Sequence, residues 1–390
     1  MSKESLDSDK PKVVIIGVAH PLRGGLATYN ERLAKEYIDQ GYDVIVYTFS
    51  LQYPGFLFPG KSQYSSEPVP EGINIRIRVN SINPFNWRNV GHEIKKQCPD
   101  LVIVKFWIPF MAPCLGTICR IIRKNRHTKI VSIIDNLIPH EKRPGDRLLI
   151  RYWLNSTDGF IAMSRSVLAE INQFLAHKPK PTVFCPHPLY DNFGKPVPKV
   201  KAIEHLGLDP DHSYILFFGF IRDYKGLDLL LKAFADERLR ALPLKLIVGG
   251  EFYTDPRPYY DLLDQLQLRE HVIMHNEFIP DSAVADYFCA SDLVVQPYKS
   301  ATQSGVTQIA YHFNKPMIIT NVGGLAEFVP DGRVGYIVEP SVAEITSAIL
   351  RFYHENKEDE FSANAAVEKV KYSWGRMVDA INEVAKKIAR

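Results

Sequence analysis

The segment KVVIIGVAHPLRGGLATYNERLAKEYIDQGYDVIVYTF, residues 12–49, reads as a strand, a helix and a second strand. Its two ends, KVVIIGVA and DVIVYTF, are apolar runs of strand length. The apolar residues between them recur at helical spacing and form one face: Leu26, Tyr29, Leu33, Ala34, Tyr37 and Ile38. Gly41 then ends the helix. This order and spacing predict a βαβ unit, and therefore a parallel sheet.

The same alternation of apolar runs and helical patterns continues along the chain. In the first half the runs are INIRIRV (73–79), LVIVKFW (101–107), KIVSIID (129–135) and GFIAMS (159–164). The segment HPLYDNFGKPVPKVK (187–201) interrupts the rhythm with prolines and turn residues. The runs then resume as SYILFFG (213–219), LKLIVGG (244–250), VIMHNE (272–277), LVVQPY (293–298), PMIITNV (316–322) and GYIVEP (335–340).

A chain of 390 residues is too long for one ordinary core. We therefore predict an α/β protein with two Rossmann-like domains that face each other across a cleft. The predicted bounds are 1–190 for the first domain, 191–372 for the second and 373–390 for a final helix. Because open parallel sheets bind ligands beyond the carboxyl ends of their strands, the residues after each strand are the candidate site residues.

Composition narrows the class of protein. The net charge is +3 and the sequence contains no motif typical of nucleic-acid binding. The five cysteines form an odd set without a CxxC pair, and the N-terminus does not resemble a signal peptide, so we expect a cytoplasmic protein. No HExxH, Walker A or nucleophile-elbow motif and no cluster of carboxylates predicts a metal or a covalent nucleophile.

Two cations follow the first strand of the second domain. In FIRDYKG (220–226), Arg222 and Lys225 lie in a tight loop at the end of SYILFFG. Cations at this position suit a diphosphate, because they neutralise the charge that develops as a diphosphate departs. The alternative is a solvated turn in which Arg222 pairs with Asp223.

The loop SATQSGVTQIAYHFNKP (300–316) contains no Asp or Glu. Ser304 is a candidate helix cap, and Asn314 before Lys315-Pro316 is a candidate helix end. The main-chain N–H groups of such a loop suit an oxygen-rich anion, and the residues concerned are Gln303, Ser304, Gly305 and Val306.

Two further positions follow strands. Glu327, in NVGGLAEFVPDG (321–332), lies in a first helical turn, where it either bonds a sugar hydroxyl or complements the helix dipole. Gly24-Gly25 precedes the first helix, where it either meets an anion or makes a simple turn. Because the sequence here is not GxGxxG, it does not predict a dinucleotide cofactor.

The first domain contains a basic stretch, since residues 101–134 include no Asp or Glu. Its part CLGTICRIIRKNRHTK (114–129) predicts a helix with apolar residues on one side and cations on the other. Such a helix either contacts anionic lipid or covers the sheet with a solvated basic edge.

Three stretches of the second half resemble the donor domain of family-four retaining glycosyltransferases, which have the GT-B fold. They are FFGFIRDYKGLDLLLKAF (217–234), FIPDSAVADYFCASDLVVQPY (278–298) and GVTQIAYHFNKPMIITNVGGLAEFVPDGRVGYIVEP (305–340). The resemblance extends over nearly the whole chain and is most specific over residues 213–340. It implies that the last helix packs back on the N-terminal domain.

The resemblance also implies roles for these residues. The expected reaction moves a hexosyl group from a UDP- or GDP-sugar to an acceptor hydroxyl with retention and without a metal or other cofactor. Arg222 and Lys225 would stabilise the leaving diphosphate. The donor would also be held by Gly24, Gly25, Gly219, Phe278, Gln303, Ser304, Gly305, Val306 and Glu327, with Phe278 in the segment that binds the base.

The sequence departs from the family pattern in three places. Ala301 and Ile309 occupy the positions of two glutamates that the family usually carries eight residues apart, and Gln303 and Gln308 are the candidates to take over some of the sugar contacts. Phe220 follows Gly219 where the family has an arginine. Asp135 replaces a histidine that commonly ends its strand, so Asp135 and His140 are candidates for acceptor-side catalysis or for purely structural roles.

These departures predict a divergent subgroup. We expect an enzyme of cell-surface polysaccharide or glycolipid assembly, with a saccharide or lipid-linked acceptor and peripheral contact with the inner face of an anionic membrane. The alternatives are a nucleotide-sugar epimerase or a phosphorylase of the same fold, and a catalytically silent protein that binds nucleotide-sugars.

Overall fold

The computed structural model describes residues 10–55, 62–65, 67–139, 143–301 and 304–389. These residues form two compact units. The first contains Ser62–His187, the described residues before it and the helix that begins at Trp374. The second contains Pro188–Ser373. The boundaries therefore fall at 187/188 and 373/374, beside the predicted 190/191 and 372/373.

Thirteen strands and fourteen helices make up the described part of the chain. The strands are β1 (Lys12–Ile16), β2 (Asp43–Leu51), β3 (Asn74–Asn80), β4 (Leu101–Phe106), β5 (Lys129–Ile134), β6 (Gly159–Ala162), β7 (Thr182–Phe184), β8 (Ser213–Phe218), β9 (Leu244–Gly249), β10 (Val272–His275), β11 (Leu293–Gln296), β12 (Met317–Thr320) and β13 (Gly335–Val338). The helices are α1 (Gly25–Asp39), α2 (Pro84–Gln97), α3 (Ala112–Ile122), α4 (Asp146–Ser156), α5 (Arg165–Phe174), α6 (Lys199–His205), α7 (Leu227–Phe234), α8 (Glu237–Arg240), α9 (Arg257–Gln265), α10 (Val284–Ala290), α11 (Gly305–His312), α12 (Val342–His354), α13 (Glu358–Glu368) and α14 (Trp374–Lys387).

Each unit is built on a parallel sheet. The first sheet has the order β3-β2-β1-β4-β5-β6-β7 and the second β10-β9-β8-β11-β12-β13. Every strand-length run that the sequence predicted is a strand. β7 was missed because its three half-buried residues, Thr182–Phe184, are too short for a pattern.

The strands are apolar because helices cover both faces of each sheet. All six residues of β4 are buried, including Lys105. One face of the first sheet packs on α2, α3, α4 and α5, and the other on α1 and α14. A continuous apolar core of the second unit likewise packs α7 and α12 against its sheet. Alternating polar residues would have no solvent to reach, so a run such as LVIVKF is what this architecture requires.

The final helix belongs to the first unit. α14 packs on α1 and β6, and its first residue, Trp374, lies 5.0 Å from the ring of Tyr29. The approach is close, since a β-carbon at Gly159 of β6 would lie 2.4 Å from Val384 Cγ1. Glycine at this position lets the helix seat directly on the strand.

Each sheet has one point at which the direction of strand addition reverses. In the first sheet it lies between β1 and β4, and in the second between β8 and β11. The loops that follow two such strands diverge, which leaves a crevice at the carboxyl edge. The loop after β1 carries Gly24-Gly25, and the loops after β8 and β11 carry Lys225 and Ser304.

Candidate active site

The turn after β8 brings three predicted residues together. Gly219 has φ of 95°, a conformation that glycine adopts without strain. A β-carbon here would lie 3.1 Å from Lys225 Nζ and 3.6 Å from Val306 Cγ2. The absence of a side chain at Gly219 therefore leaves the space in which the ammonium group of Lys225 lies, with Val306 of α11 beside it.

A second glycine fixes this loop against the neighbouring one. Gly226 has φ of 70°, and a β-carbon here would lie 1.9 Å from Pro297 O. The N–H of Lys299 also donates to Tyr224 O at 2.7 Å. The loop after β8 thus packs directly on the loop after β11, which positions Lys225.

The predicted alternative for this turn, an Arg222–Asp223 pair, is not what the structure contains. The carboxylate of Asp223 instead accepts a hydrogen bond from Lys299 at 2.9 Å, and Lys299 also pairs with Asp228 at 2.9 Å. These ion pairs join the segment after β8 to Lys299 in the loop after β11. They also leave both predicted cations, Arg222 and Lys225, without Asp223 as a partner.

Lys225 is half-buried beside Tyr298. Within the described residues, no carboxylate forms an ion pair with its ammonium group, which lies 5.7 Å from the centre of the Tyr298 ring. Desolvation, with a smaller contribution from the nearby charge of Arg222, lowers the pKa of Lys225 to about 7. A half-buried cation without a carboxylate partner favours an anionic ligand, because an opposite charge offsets the cost of its partial desolvation.

Aromatic rings line the carboxyl ends of β8, β9 and β10. The Phe220 ring lies 4.3 Å from that of Tyr253 and 6.1 Å from that of Phe278, the latter at 28° between planes. The guanidinium of Arg222 stacks on Tyr253 at 5.1 Å. The structure therefore places Phe278 and Arg222 on one aromatic surface, with Phe220 at its centre.

The predicted helix after β11 is present as α11. Ser304 occupies the N-cap position in an extended conformation, but its side chain makes no capping hydrogen bond, and its hydroxyl lies 3.3 Å from Tyr298 Oη instead. The first turn has no acidic residue, so its main-chain N–H groups and positive dipole end are available to an anion. Gly305 begins the helix against the Tyr190 ring, and Asn314 ends it with φ of 54°. Gln303 lies outside the described residues.

Glu327 lies on the next loop. It is an exposed residue of a 3₁₀ turn, Leu325–Phe328, that follows β12. This loop is joined to the one before it, because the N–H of Gly324 donates to Ala301 O at 3.3 Å. The loops after the neighbouring strands β8, β11 and β12 are thus in contact, and they carry every second-domain candidate that the structure describes except Phe278, which follows β10.

The positions of the absent glutamates are apolar and buried, since Ala301 and Ile309 are each less than one-tenth exposed. Gln308, one of the two substitutes considered, is buried in α11. Its Oε1 atom has no hydrogen-bond partner among the described residues. An unpartnered buried amide oxygen is unusual and costs free energy unless a ligand or water bonds it. Gln308 is therefore a stronger candidate than its sequence position alone indicated.

Tyr298 was missed by the sequence analysis. It is almost fully buried, its hydroxyl faces Ser304 and its ring faces Lys225, and burial raises its pKa well above the ordinary value. The Thr320 hydroxyl donates to Tyr298 O at 2.6 Å, which holds the strand end in place. The available signal was its place as the last residue of LVVQPY, directly before the loop.

In the first unit, Gly24 and Gly25 form the turn into α1. Gly24 has φ of 98° and is the N-cap residue, with no side-chain cap. The first turn of α1 has no acidic residue. The N-terminus of α1, the positive end of its dipole, therefore lies at the strand-reversal point of the first sheet.

Asp135 is held by a lysine that the sequence analysis did not single out. Lys105 Nζ lies 2.9 Å from Asp135 Oδ1 and 3.2 Å from the centre of the Tyr29 ring. Burial lowers the pKa of Lys105, and the Asp135 carboxylate opposes that shift. Asp135 thus lies in a buried ion pair at the end of β5. His140, the other acceptor-side candidate, lies outside the described residues.

The basic stretch of the first domain forms α3, whose apolar side covers the sheet. Arg120, and Arg123 in the turn that follows α3, are engaged within the unit, whereas Lys124 and Arg126 are exposed. Arg120 Nε donates to Ser156 Oγ at 2.9 Å and stacks on Tyr152 at 4.1 Å, while Arg123 pairs with Asp158 at 3.0 Å. These contacts favour the alternative in which α3 covers the sheet.

The described residues contain neither a candidate membrane-spanning helix nor a candidate metal-binding cluster. No helix there is both long enough and apolar enough to cross a bilayer. No group of three or more His, Cys, Asp or Glu side chains in that part of the chain is arranged to hold a metal ion.

Comparison with known proteins identifies relatives of both units. The family model described as Glycosyltransferase Family 4 matches residues 23–192, and the model described as Glycosyl transferases group 1 matches residues 212–355. D-inositol 3-phosphate glycosyltransferase of Gordonia bronchialis is 32% identical over 199 residues, which cover 48% of this chain and 43% of that protein. The same-named protein of Rhodococcus erythropolis is 32% identical over 204 residues, 50% of this chain and 46% of that protein. The chain thus spans less than half the length of these two relatives.

Solved structures share the whole fold. A sucrose-phosphate synthase from Thermosynechococcus elongatus superposes with a TM-score of 0.73 at 17% identity, covering 97% of this chain and 98% of that one. The Anabaena HepE protein in complex with UDP and glucose gives 0.69 at 16% identity, with 96% and 98% covered. These similarities confirm the predicted GT-B fold class. With a glycosyltransferase model matching each of its two units, the chain belongs to the family-four glycosyltransferases.

Proposed function

We propose that the protein is a retaining hexosyltransferase that uses a nucleoside-diphosphate sugar, UDP- or GDP-linked, as donor. The observation that carries this proposal is the ammonium group of the half-buried Lys225, which has no carboxylate partner within the described residues and lies beside the N-terminus of α11. A diphosphate supplies the negative charge that this position lacks.

The reaction breaks the bond between the anomeric carbon and the β-phosphate oxygen. Negative charge then accumulates on the departing diphosphate, where Lys225 neutralises it together with Arg222 and the first-turn N–H groups of α11. The acceptor hydroxyl forms the new bond on the same face of the sugar and passes its proton to the leaving phosphate oxygen. Because protein cations carry this charge, the proposal includes no metal ion.

On the acceptor side, Asp135 is assigned a positioning role. Its carboxylate is already bonded to Lys105 at 2.9 Å, so it orients the end of β5 instead of removing the acceptor proton. His140 remains the other candidate for this side. Gly24-Gly25, at the turn into α1, is assigned to the donor phosphates.

Similar proteins of known structure support the proposed classes of donor and acceptor. HepE has been solved with UDP and with UDP-glucose, and a similar structure, WaaG, is described as a glycosyltransferase involved in lipopolysaccharide biosynthesis. We therefore assign the acceptor to a saccharide or lipid-linked class, in cell-surface polysaccharide or glycolipid assembly.

The test is a panel of UDP-, GDP- and ADP-sugars. A true donor should raise the melting temperature, since it binds only the folded protein, and should release its nucleotide slowly even without an acceptor. With an acceptor, NMR of the product should show the same anomeric configuration as the donor. Binding without any release would favour a silent nucleotide-sugar protein, and conversion of the sugar without release would favour an epimerase.

The pKa of Lys225 predicts how donor affinity changes with pH. In the free protein this pKa is about 7, and a bound diphosphate raises it, because opposite charge favours the protonated form. Affinity should therefore be highest below about pH 7 and should fall by up to about tenfold per pH unit above it. Calorimetry with a nucleotide-sugar, in two buffers of different ionisation enthalpy, should show proton uptake at pH 8.

The control for this prediction is Lys225→Arg. Arginine stays protonated throughout this range, so its donor affinity should not depend on pH. A wild-type affinity that is constant between pH 6 and 9 would contradict the assignment of Lys225 to the diphosphate.

A further inference from the structure

Three aromatic side chains meet at the carboxyl edge of the first sheet. Trp107 directly follows β4, and Tyr53 comes two residues after β2. The indole N–H of Trp107 donates to Tyr53 Oη at 2.7 Å. The Tyr53 ring in turn stacks on the Phe110 ring, with 6.1 Å between their centres and 26° between their planes. These contacts join the three rings, and we name Tyr53, Trp107 and Phe110 the aromatic platform.

The aromatic platform spans the end of β1. In the sheet β1 lies between β2 and β4, so the bond from Trp107 to Tyr53 joins the segments that follow the strands on either side of it. The direction of strand addition reverses between β1 and β4, and ligands of open parallel sheets bind in the crevice at such a point. The platform therefore lies at the edge where this fold is expected to bind a ligand.

The aromatic platform is held from below and from the side. The buried ring of Phe49 meets Trp107 edge-on, with 6.1 Å between ring centres. Gln63 Nε2 donates to Tyr53 O at 3.0 Å, and the N–H of Tyr53 donates to Gln63 Oε1 at 3.2 Å. The N–H of Arg23, in the loop after β1, donates to Gln63 O at 3.0 Å. The platform and the loop that leads into α1 thus share one hydrogen-bonded framework.

The three rings are half-buried. Each packs against the apolar core of the first unit and leaves part of its surface exposed. A fixed and partly exposed aromatic side chain offers a flat apolar surface, and tyrosine and tryptophan add a hydrogen-bonding group at the edge. The face of a pyranose ring presents C–H groups, while its hydroxyl groups point outward. A sugar ring therefore matches a surface of this kind, since ligand sites combine apolar rings with a few polar groups.

The charges near the aromatic platform favour an uncharged ligand. Lys105, the fifth residue of β4, pairs with Asp135 at 2.9 Å. Arg23 Nε donates to Ser62 O at 2.7 Å. Both cations are thus engaged within the first unit, whereas recognition of a phosphate uses cations directed at the ligand. A neutral sugar ring fits these surroundings better than a phosphate group.

We propose that the aromatic platform binds an uncharged hexopyranose ring of the acceptor by stacking. This proposal rests on the proposed function, because it names the class of acceptor that the transfer uses. Tyr53 positions Trp107 through its hydroxyl group, and the rings select the shape of the acceptor without taking part in bond making. Asp135 lies beside the platform, since its N–H donates to the carbonyl of Phe106, the residue before Trp107, at 2.9 Å.

The test is saturation-transfer NMR of the full chain with methyl glucoside, methyl galactoside and methyl mannoside, each with and without UDP or GDP. Saturation of the aromatic protons of the protein should reach the C–H protons on one face of at least one of these sugars. Trp107→Leu should weaken its binding by about tenfold, because the substitution removes much of the stacking surface. Trp107→Phe keeps a ring and should retain most of the binding. Glycerol 3-phosphate, which has a phosphate but no sugar ring, should not compete.

Tyr152→Leu is the matched control, because it also removes a half-buried ring that packs on the core of the first unit. It should bind the sugars like wild type. Melting temperatures measured in parallel separate lost binding from lost folding, and Phe110→Leu replaces Trp107→Leu in the comparison if the latter does not fold.

Three results would overturn the proposal. They are the absence of binding of all three methyl hexopyranosides to the wild type, undiminished binding to Trp107→Leu and Phe110→Leu, and competition by glycerol 3-phosphate. Transfer is not needed for this measurement. Binding that depends on Trp107 in a protein that binds no nucleotide-sugar would therefore refute the proposed function while it supports a saccharide site on the platform.

Discussion

Lys225→Met is expected to lower kcat/KM for the true donor by about a hundredfold to a thousandfold, the usual cost of removing one group that stabilises developing negative charge. The ammonium lies in the space left by Gly219, and Val306 of α11 borders that space. Methionine keeps the length of the side chain but supplies neither charge nor donors. The measurement is the rate of nucleotide release at saturating and at low donor concentration.

The loss should fall mainly on kcat. Charge on the diphosphate increases as the sugar departs, so Lys225 bonds the transition state more strongly than the bound donor. Lys232→Met provides the matched control, because Lys232 is an exposed cation on α7, the helix that follows the same loop. It should retain wild-type kinetics. Full activity of Lys225→Met would refute the assignment of this residue. If no nucleotide-sugar of the panel binds the wild type, the proposed function itself is refuted.

Asp135→Ala is expected to destabilise the first unit by about 3–5 kcal/mol, the usual cost of leaving a buried charge without its partner. Lys105 is 2% exposed, and Asp135 is its ion-pair partner at 2.9 Å. All four tryptophans, Trp87, Trp107, Trp153 and Trp374, belong to the first unit. Tryptophan fluorescence in a denaturant titration therefore measures the stability of this unit.

The size of this loss should depend on pH. The pKa of Lys105 is already lowered by burial, and without Asp135 it falls further below its value in the unfolded chain. Because the pKa of Lys105 is lower in the folded state than in the unfolded state, its buried charge destabilises the folded state. This destabilisation is complete at pH values below the folded pKa. It is relieved as pH rises from the folded pKa to the unfolded one. The difference between Asp135→Ala and wild type should therefore shrink in alkaline buffer.

Two further variants separate this ion pair from other effects of substitution. Lys105→Met with Asp135→Ala should recover much of the loss, because no charge then remains buried. Asp39→Ala breaks an exposed pair with Lys35 in the same unit and should change stability by less than about 1 kcal/mol. If Asp135→Ala proved as mild as Asp39→Ala, the buried pair would not be a stabilising element.

Much of the candidate site in the second domain could be predicted from strand ends. Arg222, Lys225, Ser304 and Gly305 each follow a strand that an apolar run marks, and parallel strands place such residues at one edge. Their roles remain predictions. Tyr298 and Gln308 were missed or undervalued, because a tyrosine at a strand end and a glutamine in a helix have no pattern that distinguishes a site from a core.

The first domain was predicted less completely. For the basic segment 114–129 the sequence left open a lipid contact or a helix that covers the sheet, and the contacts of Arg120 and Arg123 with residues more than thirty positions away favour the second. In the sequence, Lys105 belongs to the basic stretch 101–134 and has no distinguishing feature. The structure places it against the ring of Tyr29 on α1 and in an ion pair with Asp135. Periodicity reports which side of a helix is polar, but it does not report which other element that side meets.

The amino-acid sequence by itself determined the α/β architecture, because a strand covered by helices on both faces must be a continuous apolar run, and such runs are local. Tertiary structure alone decided which charges are paired. Asp223 bonds Lys299, Asp135 bonds Lys105, and Lys225 has no carboxylate partner within the described residues. These outcomes depend on distances between residues far apart in the chain, and the energy of a charge depends on the partners and the solvent that folding leaves around it.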